Sequence, residues 1–416
     1  MRTVGRDFDV LIVGAGVIGT SMASLLVARR LVAPERIAVI AERLSPASTV
    51  PQSEWDLRVL ALSRASQRVL GWCGTWAALP PGKMCAYERM CVWDSRGEPG
   101  GAGSLIFDSA EFGESNLGFI VESRALQAQS LRMAGSAGVV FIEAAVDAVQ
   151  VDDGGVRMRL SDGRDLGGRL LIGADGAQSR TRELLGIETA GHAYSQDALV
   201  AHVRTAKPHA ATAWQRFLPT GPLAFLPLPD GRSSIVWSTA RGEAARLRSL
   251  DAAAFGEELT RASGGALGEC ELTTPVVSFP LKLQYAIDYV RLRAVLLGDA
   301  AHVVHPLAGQ GLNMGLLDCA SLADVLAVTG NGGFLGEQKL LRRYERWRRS
   351  ENLLTAAVTD GLERVFASGN PALSRLRVLG LGAVGRASFI KREFAQRAMG
   401  LGGDVPTFLK TAAPST

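Results

Sequence analysis

The 416-residue sequence predicts a mixed α/β (α+β) chain: a dinucleotide-binding unit built from separated segments, an antiparallel sheet inserted into it, and helices toward the C-terminus. Three observations predict this. A short apolar run near the N-terminus ends in a Gly-x-Gly-x-x-Gly turn. Two later apolar runs end in turns that carry an acid beside a glycine, at Asp175-Gly176 and Gly298-Asp299. Between those two turns the pattern is that of a sheet, with short apolar stretches broken by Gly and Pro.

The first element is Asp9 to Val13, followed at once by Gly14-Ala-Gly16-Val-Ile-Gly19. Thr20 to Arg30 has helical composition, and Arg36 to Ile40 is a second apolar run ending near Glu42. Strand, glycine turn, helix, strand and acid in this order form a Rossmann-like unit. Gly14 allows the tight turn, Gly16 lets the backbone approach a pyrophosphate, and Gly19 lets helix pack on strand. The helix N-terminus faces the phosphates, and Glu42 can accept from ribose hydroxyls.

The second element is Leu171-Ile-Gly-Ala-Asp175-Gly176, which runs into a polar helix start with Ser179 and Arg182. Between about residues 193 and 285, runs such as Trp214 to Leu218, Leu223 to Leu228 and Ser233 to Ser238 read as a separate antiparallel sheet. The third element is Val295-Leu-Leu-Gly-Asp299, a loop with Pro306, Gly309 and Gly311, and then a helical pattern through Leu312, Leu316, Ala320 and Ala323. This places a carboxylate at the mouth of a strand with a helix N-terminus just beyond it.

These elements divide the chain into a discontinuous cofactor unit (1–90, 116–188 and 286–345), a substrate sheet (91–115 and 189–285) and a C-terminal helical region (346–416). The five cysteines are odd in number and lack C-x-x-C spacing, which points to buried reduced thiols rather than disulfides or a metal site. No run approaches the ~20 apolar residues of a spanning helix, and residues 1–9 hold no apolar signal core, so the chain is expected in the cytoplasm. Net charge is only +4, but Arg342, Arg343, Arg346, Arg348 and Arg349 crowd one segment, and further Arg and Lys alternate with Leu and Phe after it. These basic helices are read as a solvated face, or as a peripheral contact with the inner membrane surface or a partner complex. Nucleic acid is not expected, because no recognition motif accompanies the charge.

Together the three turns resemble those of the group A flavoprotein monooxygenases, which share the para-hydroxybenzoate hydroxylase fold. The ubiquinone-biosynthesis hydroxylase family is the nearer likeness: His305-Pro-Leu-Ala-Gly-Gln-Gly-Leu-Asn-Met-Gly315 is similar to its signature loop. Arg58 to Leu62, Ile120 to Arg124, Gln215 to Pro222 and Ala398 to Pro406 carry the resemblance across nearly the whole chain. One departure is Ser123, which stands where that pattern has asparagine and bears on one polar contact beside the flavin.

The resemblance implies FAD as cofactor, with NAD(P)H and O2 as co-substrates. Gly14, Gly16, Gly19 and Glu42 would hold its adenosine half, Arg58 and Arg124 would lie near the ribityl and phosphate region, and Asp299 would bind the ribitol hydroxyls. The backbone of Gly311, Leu312 and Asn313 would face the pyrimidine edge, with Pro306 and Gly309 shaping the loop before them. Asp175 and Arg182 would serve the cofactor groove and nicotinamide docking. The implied reaction is hydroxylation of a prenylated phenol or quinol through a flavin hydroperoxide. Gln215, Phe217, Leu226, Pro227 and Trp237 are candidates to line the substrate space, or else form the sheet's own core. No catalytic side chain is assigned, and His302 and His305 read as structural before catalytic. Two other readings stand beside this one: a reductase or halogenase on the same fold, disfavoured by the lack of a W-x-W-x-I-P segment, and a non-catalytic scaffold, which would not need the intact glycines or Asp299.

Overall fold

The computed structural model describes residues 8–44, 55–101, 103–304, 309–328, 335–367 and 388–410. At its centre lies a six-stranded sheet in the order Val290–Arg291, Ala294–Leu296, Leu170–Gly173, Val10–Val13, Ile37–Ala41, Val140–Glu143. All neighbours are parallel except the first pair. The apolar runs are continuous rather than alternating because both faces of a parallel sheet are covered. Val10, Ile12, Val39 and Ile172 face the helices Val17–Ala28 and Gln310–Ala327, where they meet Leu25, Leu26, Leu316 and Leu322. Leu11, Val13, Ile40 and Leu171 face the opposite way, onto a three-stranded meander through Val156, Met158 and Leu166. Each such fully buried aliphatic side chain contributes about 2 kcal/mol.

The second layer is a nine-stranded sheet built on Thr189–Thr205, Thr212–Leu218, Gly221–Pro227, Ser233–Ala240 and Val277–Ala286. Two strands from earlier in the chain, Arg89–Asp94 and Ser104–Asp108, extend one edge, with Arg89–Asp94 parallel to Thr212–Leu218. The other edge is the two-residue strand His302–Val303, which follows directly on the Gly298–Ala300 turn of the cofactor unit. The helices Arg241–Arg248 and Ala252–Ser263 cover one face of this sheet, with Ala244, Leu247, Phe255 and Leu259 over Leu199, Leu223, Phe225, Ile235 and Trp237.

The helix Gln338–Ala367 is about 45 Å long at 1.5 Å per residue. Its Tyr344 and Leu341 are buried against the cofactor unit, and farther along it meets the strands Thr212–Leu218 and Gly221–Pro227. The helix Ser388–Ala398 docks through Ala395, and Met399 just beyond it, near Leu117, Tyr87 and Phe107, and Lys391 pairs with Glu111 at 2.5 Å. Among the described residues no helix is long and apolar enough to cross a membrane.

Candidate functional site

The three turns meet at the carboxyl edge of the parallel sheet. In the first, Gly14 has φ +111° and donates its N–H to the Ile40 carbonyl at 2.8 Å. A Cβ there would stand 2.2 Å from the Ala174 carbonyl oxygen, and one at Gly19 would stand 1.9 Å from the Gly14 oxygen. Both glycines are demanded by the fold itself. Gly16 is different: its φ of −72° suits any residue, and a Cβ on it would meet nothing within 4 Å. The space beside it opens over the first turn of Val17–Ala28, which carries no side-chain cap and no acidic residue. Free N–H groups and the positive end of the helix dipole therefore face an open cradle, which fits a diphosphate. Glu42 follows the next strand and is exposed at the same edge.

The second half of the site is formed by Asp299 and the start of Gln310–Ala327. Gly298 holds φ +58° and Gly309 φ +64°, so both turns use backbone that a side chain would strain. A Cβ on Gly311 would come 3.9 Å from Asp299 Oδ1, so the carboxylate and the helix start share one recess. Asp299 is reached by solvent from the open side, yet protein surrounds it on the others. Burial raises its carboxyl pKa, and His302, Arg58 and Lys282 partly offset the rise. The N–H groups of Gln310, Gly311 and Leu312 precede the first N–H bonded within the helix and have no partner inside it, whereas the Asn313 N–H, expected beside those of Gly311 and Leu312, is the first that the helix takes up. The Asn313 side chain is taken up internally: its Oδ1 accepts from Ser63 N at 2.9 Å and Ser66 Oγ at 2.7 Å, and its amide donates to the Ala61 and Gly309 carbonyls. Pro306 and His305 lie outside the described residues.

The remaining expected cofactor residues hold this arrangement together. Asp175 accepts from Ser179 Oγ and from Thr181 N at 2.8 Å, capping the short helix Arg180–Leu184. Arg182 is buried and donates to the carbonyls of Ala300 at 3.0 Å and Ala177 at 3.2 Å, which laces this turn to the one carrying Asp299. Both side chains are spent on internal bonds. Arg124 is paired with Asp56 through two contacts of 2.9 and 3.1 Å, whereas Arg58 is exposed and near enough to act on Asp299.

Strand alternation divides the five expected substrate residues. Gln215, Phe217 and Leu226 point to one face of the sheet, the face shared by Met90, Val92, Ser234 and His202. That face looks toward the cofactor unit, because the Leu57 carbonyl and Asp56 stand beside the His202 ring. Pro227 and Trp237 point the other way, and Trp237 packs edge-on to Phe255 with 6.2 Å between ring centroids, inside the core under the two helices. Its place is set by the period of two: Trp237 lies opposite Leu223 and Leu199, both fully buried on that side.

Two buried polar groups escaped the sequence reading. His202 is fully buried, and burial together with Arg232 lowers its pKa to about 4. Asp318 is fully buried in the apolar helix Gln310–Ala327, where its Oδ2 accepts from Gly298 N at 3.1 Å and His302 Nε2 at 2.6 Å. Its Oδ1 accepts from Arg348 Nε at 2.8 Å and Asn352 Nδ2 at 3.2 Å. Burial alone would raise its carboxyl pKa, but His302 and Arg348 hold it down to about 2. Arg348 is thus a buried partner, not part of a solvated basic face. The available signal was a lone carboxylate amid Leu316, Cys319, Ala320 and Leu322, where a charge without a partner is costly.

With this geometry in hand, the relatives can be read. The family described as an FAD binding domain matches residues 126–357. The chain is 36% identical to the ubiquinone hydroxylase UbiL of Rhodospirillum rubrum, over 97% of this chain and 92% of that protein. It belongs to the family of FAD-dependent ubiquinone-biosynthesis hydroxylases. A second member, the 3-demethoxyubiquinol 3-hydroxylase of Escherichia coli, is 32% identical over 94% of this chain and 98% of its own. The p-nitrophenol 4-monooxygenase PnpA of Pseudomonas putida shares the fold, with TM-score 0.74 and 18% identity over 96% of this chain and all of that one. This flavin hydroxylase takes FAD as its cofactor, and the open cradle at Gly16 together with the recess between Asp299 and Gly311 fits that group.

Proposed function

We propose that this protein hydroxylates the aromatic ring of a prenylated phenol or quinol on the route to ubiquinone, with NAD(P)H and O2 as co-substrates. The observation that carries the proposal is the pairing of two features that the fold alone does not require. One is open space over the helix start at Gly16, and the other is a solvent-reached carboxylate, Asp299, facing a second free helix start.

Bound FAD supplies the redox chemistry, accepting hydride from NAD(P)H and activating oxygen. The first-turn N–H groups after Gly16 bind its diphosphate, Glu42 accepts from the ribose, and Asp299 accepts from the ribityl hydroxyls. The Gln310, Gly311 and Leu312 N–H groups stabilise negative charge on the pyrimidine edge, a preorganised contribution that needs no movement during reaction. Arg58 lies in the same electrostatic field and keeps the recess attractive to anionic groups. Facing the cofactor unit, the sheet face of Gln215, Phe217 and Leu226 orients the ring and limits water. Strands Arg89–Asp94 and Ser104–Asp108 belong with that face, in keeping with a substrate sheet of residues 91–115 and 189–285 set against a cofactor unit of residues 1–90, 116–188 and 286–345.

Within the C-terminal region, residues 346–416, the helix Ser388–Ala398 carries the surface we assign to peripheral contact with a membrane or biosynthetic complex. Phe389 is 82% exposed and Phe394 50% exposed, beside exposed Arg392 and Arg397. A scaffold would leave Gly16 free to be any residue, which is why the catalytic reading is preferred.

The test is direct. Purified protein should bind FAD and turn yellow, consume NAD(P)H faster when a short-chain prenylated phenol is added, and incorporate 18O from O2 into the ring. A colourless protein indifferent to flavin, or label arriving only from water, would refute the proposal.

A further inference from the structure

The buried Asp318 carboxylate joins four separate elements of the molecule. It lies on the helix whose start faces the recess. Through Gly298 N it holds the turn that carries Asp299, and through His302 it holds the edge strand of the nine-stranded sheet. Through Arg348 and Asn352, themselves bonded to each other at 2.7 Å, it holds the long helix Gln338–Ala367.

A carboxylate offers about four acceptor positions, and here all are taken by donors. Saturated in this way and closed off from solvent, it has no capacity left to accept or deliver a proton during the reaction. What it does control is the backbone of the Gly298–Asp299 turn, whose N–H would otherwise be buried without a partner at a residue with φ +58°.

We propose that Asp318 is a positioning residue for the cofactor: it fixes Asp299 against the ribityl hydroxyls by clamping the Gly298 backbone to the helix that presents Gly311 and Leu312. The proposal rests on Asp299 contacting FAD. The two ends of the cofactor then depend on different residues. The adenosine end depends on the Gly16 cradle, which Asp318 does not touch, and the ribityl end depends on the clamp. Replacing Asp318 by asparagine is informative because, whichever way it turns, the amide –NH2 must face either Gly298 N–H or Arg348 Nε–H, neither of which can accept. Either the Gly298–His302 side or the Arg348–Asn352 side has to move apart.

The experiment compares the full-length parent with Asp318→Asn, Asn352→Ala and Asp299→Ala. Apoprotein melts confirm folding at the assay temperature, and fluorescence titrations then measure affinity for FAD and for ADP, which carries only the adenosine end. Asp318→Asn should bind FAD at least about tenfold more weakly, 1.4 kcal/mol, while its affinity for ADP is unchanged. Asn352→Ala, which removes one of the four donors, should weaken FAD severalfold with the same indifference toward ADP. Unchanged FAD affinity in a folded Asp318→Asn protein overturns the proposal, and so does a parallel loss for FAD and ADP, which would mark general loosening. If Asp318→Asn does not fold, Asn352→Ala decides by the same two readouts. Asp299→Ala separates this inference from the reading beneath it. Full FAD affinity in that variant removes the Asp299 contact itself, whereas loss there without loss in the Asp318 variant removes only the clamp.

Discussion

Gly16→Ala tests the cofactor cradle in a way that few substitutions in such a turn can. At Gly14 and Gly19 of the same turn an added methyl would collide with backbone and damage the fold, so lost cofactor binding there would be uninformative. Gly16 has φ −72° and ψ 179°, ordinary values for alanine, and nothing lies within 4 Å of the new Cβ. The apoprotein should therefore be as stable as the parent or gain up to about 1 kcal/mol, because alanine restricts the unfolded chain. The methyl instead fills space that a diphosphate needs to reach the first-turn N–H groups. Loss or lengthening of one charge-assisted hydrogen bond costs about 1.5–3 kcal/mol. FAD should accordingly bind roughly tenfold to hundredfold more weakly. The assay pairs a thermal melt of the apoprotein with an FAD titration followed by flavin fluorescence. Parental affinity in Gly16→Ala would refute the assignment of the cradle, and a fall in apoprotein stability would refute the steric argument. Gly19→Ala is the opposite control: a Cβ 1.9 Å from the Gly14 oxygen must displace helix or turn, so folding itself should suffer.

Three further outcomes are expected. The His202 pKa is lowered to about 4 in the folded protein, so between pH 6.5 and 4 the unfolded chain takes up the proton first; stability should fall by at most about 3 kcal/mol as pH drops through that window, and the fall should be smaller in His202→Gln when chemical denaturation is followed at both ends. Asp299→Ala should lose more hydroxylation than His305→Ala, and near-equal losses with FAD still bound would count against the role given to Asp299. Trp237→Phe should lower the melting temperature and leave KM for substrate unchanged, whereas Gln215→Leu should raise KM with little effect on melting, because the two residues stand on opposite faces of one sheet.

The parallel sheet and its turns were legible because their signals are local. Continuous apolar runs mark strands covered on both faces, and glycines mark backbone that cannot carry a side chain, as at Gly14 and Gly298. The inserted sheet was visible as a set of strands, but its faces were not. Trp237 and Gln215 look equally suited to a pocket until register with Leu223 and Val92 decides which way each points. Asp175 and Arg182 stood out for their motif, yet their bonds to Thr181 and Ala300 join residues up to 118 positions apart, beyond the reach of any spacing rule. Asp318 was hidden for the same reason. Its partner Arg348 sits in a run of arginines that reads as solvated, and only the packed helices show that one of them turns inward.

The order of strands in the parallel sheet has a consequence for synthesis on the ribosome. Leu170–Gly173 needs Ala294–Leu296 as its outer neighbour, and the helix start facing the recess comes later still, at Gln310. An emerging polypeptide must therefore hold an unfinished, apolar sheet edge through the whole translation of the inserted segment. At about 5–20 residues per second that exposure lasts several seconds or more, long enough for aggregation or chaperone capture to compete with completion. Flavin loading is accordingly a late event, open only to chains that have survived this interval.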